Sequence, residues 1–190
     1  MTLFLILAPF GAFATLMLVA SPSLSLFVAA FVALAVIAYD VFRGKSVKIL
    51  MASSMVLFGA LGCYDLFSHG NWSTVAVRLA VDGGVLAIAL ASIVIRVTFT
   101  VQYAREHIAP DVLLLPSFKR VNYILTWAWT AAFLLMLVAD ILMIYAPGLP
   151  LWVGVGIAFA ARNAAVFFTR WYPQYRRGRI AAQAAAHPQA

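Results

Sequence analysis

Charge is scarce in this chain. Only 10% of its 190 residues are Asp, Glu, Lys or Arg, whereas a soluble globular domain carries about 25%. Because 65% of the residues are hydrophobic, the chain has too little polar surface for an ordinary water-soluble fold. Composition therefore places the protein in a membrane.

Cysteine and histidine are nearly absent as well. Cys63 is the single cysteine, which excludes an intrachain disulfide and a cysteine-based metal site. All three histidines, His69, His107 and His187, fall outside the apolar stretches, where they cannot ligate a haem inside the membrane. The sequence also lacks a Gly-x-Ser-x-Gly elbow and a Gly-rich phosphate loop with Lys. We expect no enzyme activity, no metal and no cofactor.

Long apolar stretches make up most of the sequence. Six can be counted, and each has about 18 to 25 residues, which is long enough to cross a bilayer as a helix. They do not alternate apolar and polar side chains as barrel strands would. The predicted fold class is all-α, a polytopic transmembrane bundle of six helices at residues 3–20, 24–42, 47–67, 74–98, 121–145 and 151–172. Residues 1–172 form the transmembrane domain, and residues 173–190 form a loose cytoplasmic tail that is basic and then Ala-rich.

The first apolar stretch has two interpretations. An apolar run followed by Ser21-Pro22-Ser23 can imitate a signal peptide, whose cleavage site follows its apolar core. No Lys or Arg precedes the run, although a signal peptide begins with positive charge. We expect a retained first helix, and cleavage is the alternative.

The basic residues predict an orientation. Of the 13 Lys and Arg residues, all but Arg78 and Arg162 fall in three segments on one face, and the loops on the other face hold none. The positive-inside rule then puts both termini in the cytoplasm. The net charge of +7 thus faces lipid headgroups, and no nucleic-acid partner is expected. The clustered residues are Arg43, Lys45 and Lys48; Arg96, Arg105, Lys119 and Arg120; and Arg170, Arg176, Arg177 and Arg179.

Two hairpins share an order of features: a basic start, a late Asp, a turn, a Trp, an Arg in the returning helix and a basic end. This order favours a parallel repeat. The alternative is that every membrane hairpin needs basic ends and interfacial aromatic residues, and both stay open. The matching residues are Asp65 with Asp140, Trp72 with Trp152, and Arg78 with Arg162.

Five ionisable residues are embedded in the apolar stretches. At the bilayer centre each costs roughly 2.5 to 3.5 kcal/mol, so they should face protein or water and be paired. Arg78 and Asp82 share a helix face, and the long Arg162 side chain can reach toward Asp82 or Asp140. One interpretation is a polar chamber that serves transport, and the other is a set of pairs that lock the helices together. The predicted cluster is Asp65, Arg78, Asp82, Asp140 and Arg162, with Asn163 beside the last.

A polar segment follows the fourth apolar stretch. It contains Gln102, Tyr103, Arg105 and Glu106. Such a segment can bind a partner or gate the bundle. The alternative is an interfacial helix that continues the fourth helix.

Several short stretches of the chain form a pattern that is found together in one family. They are Pro9, the loop from Arg43 to Lys48, Gly59-Ala60-Leu61-Gly62, Phe67-Ser68-His69, Trp72, Val121-Asn122, Trp127-Ala128-Trp129, Phe133 and Tyr172-Pro173-Gln174. In these stretches the chain resembles the intracellular septation protein A family of small bacterial inner-membrane proteins. Asp140 stands where that family is expected to have Asn, and the pattern of Arg78, Asp82 and Arg162 is not matched to the family. The resemblance implies a role in envelope maintenance or septation through protein partners, without known catalysis, and it supplies no catalytic residues.

The sequence thus favours a non-enzymatic, multi-pass protein of the bacterial inner membrane. The first hypothesis is an envelope or septation protein that acts through other membrane proteins or as a homo-oligomer in the lipid bilayer. The second is a small proton- or ion-coupled transporter or channel that uses the embedded cluster. The third is an accessory subunit of a larger membrane complex, by analogy with other small membrane proteins.

Overall fold

The computed structural model is helical throughout its described part, which comprises residues 2–68, 72–105, 108–146 and 148–186. No strand occurs in these ranges, and helices account for 85% of the structure. The eight helices are α1 (Thr2–Leu16), α2 (Pro22–Phe42), α3 (Ile49–Phe67), α4 (Thr74–Val94), α5 (Phe99–Ala104), α6 (Pro110–Leu114), α7 (Pro116–Tyr145) and α8 (Leu151–Ala186).

Five helices are long and apolar enough to cross a membrane: α2, α3, α4, α7 and α8. The all-α, multi-pass class is confirmed. Six crossings remain a prediction, because α1 has 15 residues and is about 22 Å long, against a hydrocarbon core of about 30 Å. Its turns do continue beyond Leu16, since the Ala20 N–H donates to the Leu16 carbonyl at 2.7 Å.

Two of the three turns on the predicted outer face end in a serine N-cap. The Ser21 hydroxyl accepts the Leu24 N–H at 3.4 Å, and Pro22 occupies the first turn of α2. The Ser73 hydroxyl accepts the Ala76 N–H at 3.2 Å at the start of α4. A serine in extended conformation satisfies a free N–H at a helix start, and a proline there has no N–H to satisfy. These caps permit short turns between antiparallel helices.

The polar segment differs from the predicted continuation of the fourth helix. Helix α4 ends at Val94, and Arg96 has a φ of 57°, in the left-handed region that an α-helix does not use. The chain then forms α5 and α6 as separate short helices, and α7 begins at Pro116.

The tail predicted to be loose is helical. Helix α8 continues through Pro173 to Ala186. Alanine and arginine are strong helix formers, and residues 176–186 contain little else. The proline costs one backbone hydrogen bond, which is too little to end this helix.

The long helices pack as neighbours in the order α1, α2, α3, α4, α7, α8, and α5 rests on α7 and α3. Phe58 of α3 is fully buried and lies 5.5 Å, between ring centroids, from both Phe10 and Phe13 of α1. Close approach of α3 and α4 needs Gly84, because a Cβ there would lie 2.5 Å from a methyl carbon of Leu57. The α4–α7 contact positions the embedded charges.

Candidate functional site

The centre of the site is a salt bridge between α4 and α7. Nη2 of Arg78 lies 3.2 Å from Oδ1 of Asp140, and the Asp140 side chain is 1% exposed. Arg78 stands about 6 Å along α4 from its first residue, and Asp140 about 7 Å before the last residue of α7. Because the two helices are antiparallel, these positions meet at one depth near the predicted outer face. An arginine at this place supplies the countercharge that a buried carboxylate needs.

A second carboxyl group lies beside this pair. Asp82 is one helical turn from Arg78 on the same face of α4, and it interacts electrostatically with both Arg78 and Asp140. Oδ2 of Asp140 is buried and has no hydrogen-bond partner of normal geometry in the described part of the chain. Two carboxyl groups therefore lie near one guanidinium, and in the described part of the chain it is Asp140 that forms a salt bridge with it.

Arg162 does not take the partner that the sequence suggested. Asp140 pairs with Arg78, and Arg162 makes no salt bridge within the described ranges. It is partly exposed on α8. Its neighbour Asn163 is exposed and donates its amide to the Phe159 carbonyl of the same helix at 2.7 Å. The expected reach of Arg162 to Asp82 or Asp140 is thus wrong, because α4 rather than α8 presents its arginine to Asp140.

Asp65 lies apart from this group. It is 1% exposed on α3, and it accepts a hydrogen bond from the Ser23 hydroxyl of α2. Its other carboxyl oxygen, Oδ1, is buried without a partner among the described residues. Asp65 and Asp140 have similar surroundings. Asp65 is contacted by Ser23 in the first turn of α2, and Asp140 is contacted by Arg78 in the second turn of α4. In both cases the contacting helix is the preceding long helix.

A cavity of about 880 Å³ connects the embedded charges with the opposite end of the bundle. We call it the interhelical cavity. It lies between α1, α4, α7 and α8, and α5 and α6 line its predicted cytoplasmic end. Its wall is mostly apolar, with Phe10, Trp129 and Phe133 among its side chains. The charged groups on the wall lie at three depths. Arg78 and Asp82 are toward the predicted outer face, and Arg162 is about 16 Å along α8 from Leu151, near the predicted bilayer centre. Arg176 and Arg177 are toward the predicted cytoplasmic face.

The polar segment is partly built into the bundle. The side-chain oxygen of Gln102 accepts the Ile49 N–H at 2.8 Å, at the start of α3. The Lys48 ammonium lies 5.7 Å from the ring centroid of Tyr103. Arg105 is exposed, and Glu106 lies outside the described residues. Gln102 and Tyr103 therefore connect α5 with the start of α3.

Sequence reasoning missed a buried ion pair next to this contact. Nζ of Lys48 lies 2.5 Å from Oδ2 of Asp40, and Lys45 lies 3.7 Å from the other oxygen. The Lys48 side chain is 2% exposed. A carboxylate in the last turn of one helix and lysines across a tight turn are a signal that could have identified the pair.

Comparisons with known proteins add no relatives. No family model, no curated protein and no solved structure matches this chain.

Proposed function

We propose that this membrane protein binds a solute in the interhelical cavity and moves it across the bilayer. The observation that carries the proposal is the position of the charges: Arg78, Asp82 and Arg162 all lie on the wall of one cavity. Charges that serve packing alone are expected to be enclosed and mutually paired. Arg162 has no ion-pair partner in the described ranges, so it is available to a solute or to water.

The composition of the wall supports the same proposal. A mostly apolar cavity with a few convergent polar groups is the usual form of a small-molecule site, and about 880 Å³ is in the usual range of such sites. Asp82 supplies a carboxyl group and Arg162 a guanidinium cation on the wall, while the bridge from Arg78 to Asp140 holds α4 against α7. In this proposal Asp82 exchanges protons and Arg162 contacts the solute.

Cysteine labelling tests whether water reaches the cavity. In a Cys63→Ser background, Ala158→Cys places a thiol on the cavity wall. Ala160→Cys places one on the exposed surface of α8, outside the cavity and about 3 Å deeper along the helix. We expect a charged, membrane-impermeant maleimide to label the thiol at 158 much faster in proteoliposomes, because thiols facing lipid are shielded. Equal labelling rates would contradict a water-filled cavity.

Proton flux tests the role of Asp82. We expect vesicles that contain the protein and an internal pH-sensitive dye to dissipate an imposed pH step faster than protein-free vesicles. Asp82→Asn removes the titratable group from the wall and should return the rate to that of protein-free vesicles. Asp111→Asn removes an exposed carboxyl on α6, outside the cavity, and should retain the flux. Unchanged flux in Asp82→Asn, with only a lower melting temperature, would reject the proposal.

The role implied by the sequence resemblance is a second proposal. It is an envelope or septation function in the bacterial inner membrane through protein partners, and a subunit of a larger complex is a variant of it. Its support is the set of short stretches quoted above, and the exposed Arg105 of the polar segment is its natural contact residue. Cross-linking in cells from a photoreactive residue at position 105 would test it, and a single reproducible membrane-protein partner is the expected result.

A further inference from the structure

A second cavity lies at the edge of the membrane, where the end of α4, the helix α5 and the start of α7 meet. Its volume is about 580 Å³. Of the described residues that line it, four are cationic and none is acidic. We call this cavity the basic pocket. Its cations are Arg96, Arg105, Lys119 and Arg120.

The backbone brings these four cations together from three elements. Arg96 follows the last residue of α4 by two positions, and its φ of 57° belongs to the left-handed conformation, which L-residues rarely adopt. This turn allows α5 to lie against α7, so that Arg105, just after α5, faces Lys119 and Arg120 in the first turns of α7. Residues far apart in the chain thereby line one cavity.

Among the described residues, no acidic side chain pairs with the cations of the basic pocket. None of the four cations forms a salt bridge with another residue in the described ranges, and all four are exposed. Like charges gathered in one place repel each other, so an anion bound among them is favoured. The remaining wall includes Ile93, Val97, Val101 and Tyr123, which suits a ligand with an apolar part.

We propose that the basic pocket binds the phosphate group of an acidic phospholipid, with the start of its acyl chains against the apolar wall. Basic pockets between helices at the cytoplasmic side of a membrane bind such headgroups, and the volume is large enough for one. This site is separate from the interhelical cavity and does not depend on transport through it.

Lipid titration with a charge-matched control tests the proposal. The delipidated protein in a neutral maltoside detergent is titrated with dioleoylphosphatidylglycerol, and bound lipid is counted by native mass spectrometry. The test variant is Arg96→Gln with Arg120→Gln. The control is Arg170→Gln with Arg179→Gln, which removes the same charge from exposed positions on α8 outside both cavities.

We expect the test variant to bind the anionic lipid roughly 30-fold more weakly, from about 1 kcal/mol for each cation. The control should bind like the wild type, because salt screens exposed charges beyond about 10 Å. Thermal melting checks the folding of both variants, and Arg105→Gln with Lys119→Gln replaces the test variant if it fails to fold.

The outcomes distinguish binding at the basic pocket from a general effect of positive charge, and they distinguish a lipid ligand from a soluble phosphate ligand. Equal weakening in the test variant and the control would overturn the proposal, as would equal affinity of the wild type for dioleoylphosphatidylcholine. Inorganic phosphate, titrated at constant ionic strength, should compete only weakly with the lipid. If it binds alone as tightly as the lipid, the phosphate site stands but the lipid assignment is overturned.

Discussion

The ion pair between Arg78 and Asp140 links α4 to α7. Asp140 is 1% exposed and depends on Arg78 for its countercharge. Removing one partner of a buried pair leaves an uncompensated group, which costs about 3 to 5 kcal/mol. Replacing both partners with apolar side chains removes that penalty, so the two substitutions should not be additive.

We therefore expect Arg78→Leu to lower the free energy of unfolding by about 3 kcal/mol. The double variant Arg78→Leu/Asp140→Leu should be more stable than Arg78→Leu alone. Unfolding in mixed detergent micelles, followed by circular dichroism, measures both. If the double variant loses as much as the two single variants combined, Arg78 and Asp140 are not coupled.

The sequence predicted some of this site and not the rest. The spacing of Arg78 and Asp82 placed them on one helix face, and rise per residue placed Asp140 at a similar depth. Which arginine pairs with Asp140 depends on whether α4 or α8 lies beside that face of α7. Lateral rotation of helices is set by packing, such as the contact of Gly84 with Leu57, and periodicity alone does not encode it.

A hydrogen bond from the start of α3 to the side chain of Gln102 connects α5 with α3. The start of α3 has no capping side chain from its own N-cap residue, Lys48, and Gln102 accepts the first N–H of that helix instead. Six residues form α5, which is too short for a helix to be stable alone in water. The contact with α3 and the packing on α7 therefore hold α5 in place.

Substitution of Gln102 tests this link. We expect Gln102→Leu to cost about 1 kcal/mol of unfolding free energy, because the Ile49 N–H loses its acceptor. Gln102→Glu keeps an acceptor oxygen, and its negative charge suits a helix N-terminus, so it should stay close to the wild type. Arg105→Gln, an exposed neighbour, is the control. A loss in Gln102→Glu as large as in Gln102→Leu would contradict the capping role.

Element boundaries were predictable where turn residues mark them and not elsewhere. Ser21, Pro22 and Ser73 mark the starts of α2 and α4. The predicted start of α4 at residue 74 agrees with the structure, and the predicted start of α2 at residue 24 is two residues late. The break after α4 depends on the backbone of Arg96, a residue with no turn signature of its own. Pro173 looked like the end of α8, yet the helix-forming residues after it outweigh one lost hydrogen bond. Both local propensity and tertiary contacts determine where these helices begin and end, and only the propensity can be assessed from the sequence.

The number of membrane crossings determines on which face each terminus of the molecule lies. Five helices qualify as membrane spans, and α1 is shorter, although its turns continue to Ala20. Six crossings place both termini on one face, whereas five crossings place them on opposite faces. The basic segments favour six, because the turn between α1 and α2 holds no Lys or Arg and the positive-inside rule puts such turns outside.

Reporter fusions at the two ends decide between these topologies. We expect a fluorescent protein that folds only in the cytoplasm to be bright at both the N-terminus and the C-terminus, because eleven cations hold their segments on that face. A reporter inserted between residues 68 and 73 should be dark, which controls for orientation. Fluorescence at one terminus alone would mean that α1 lies along the membrane rather than across it. In that case the phenylalanines of α1 could not line the interhelical cavity. The transport proposal would then fail together with the six-helix topology.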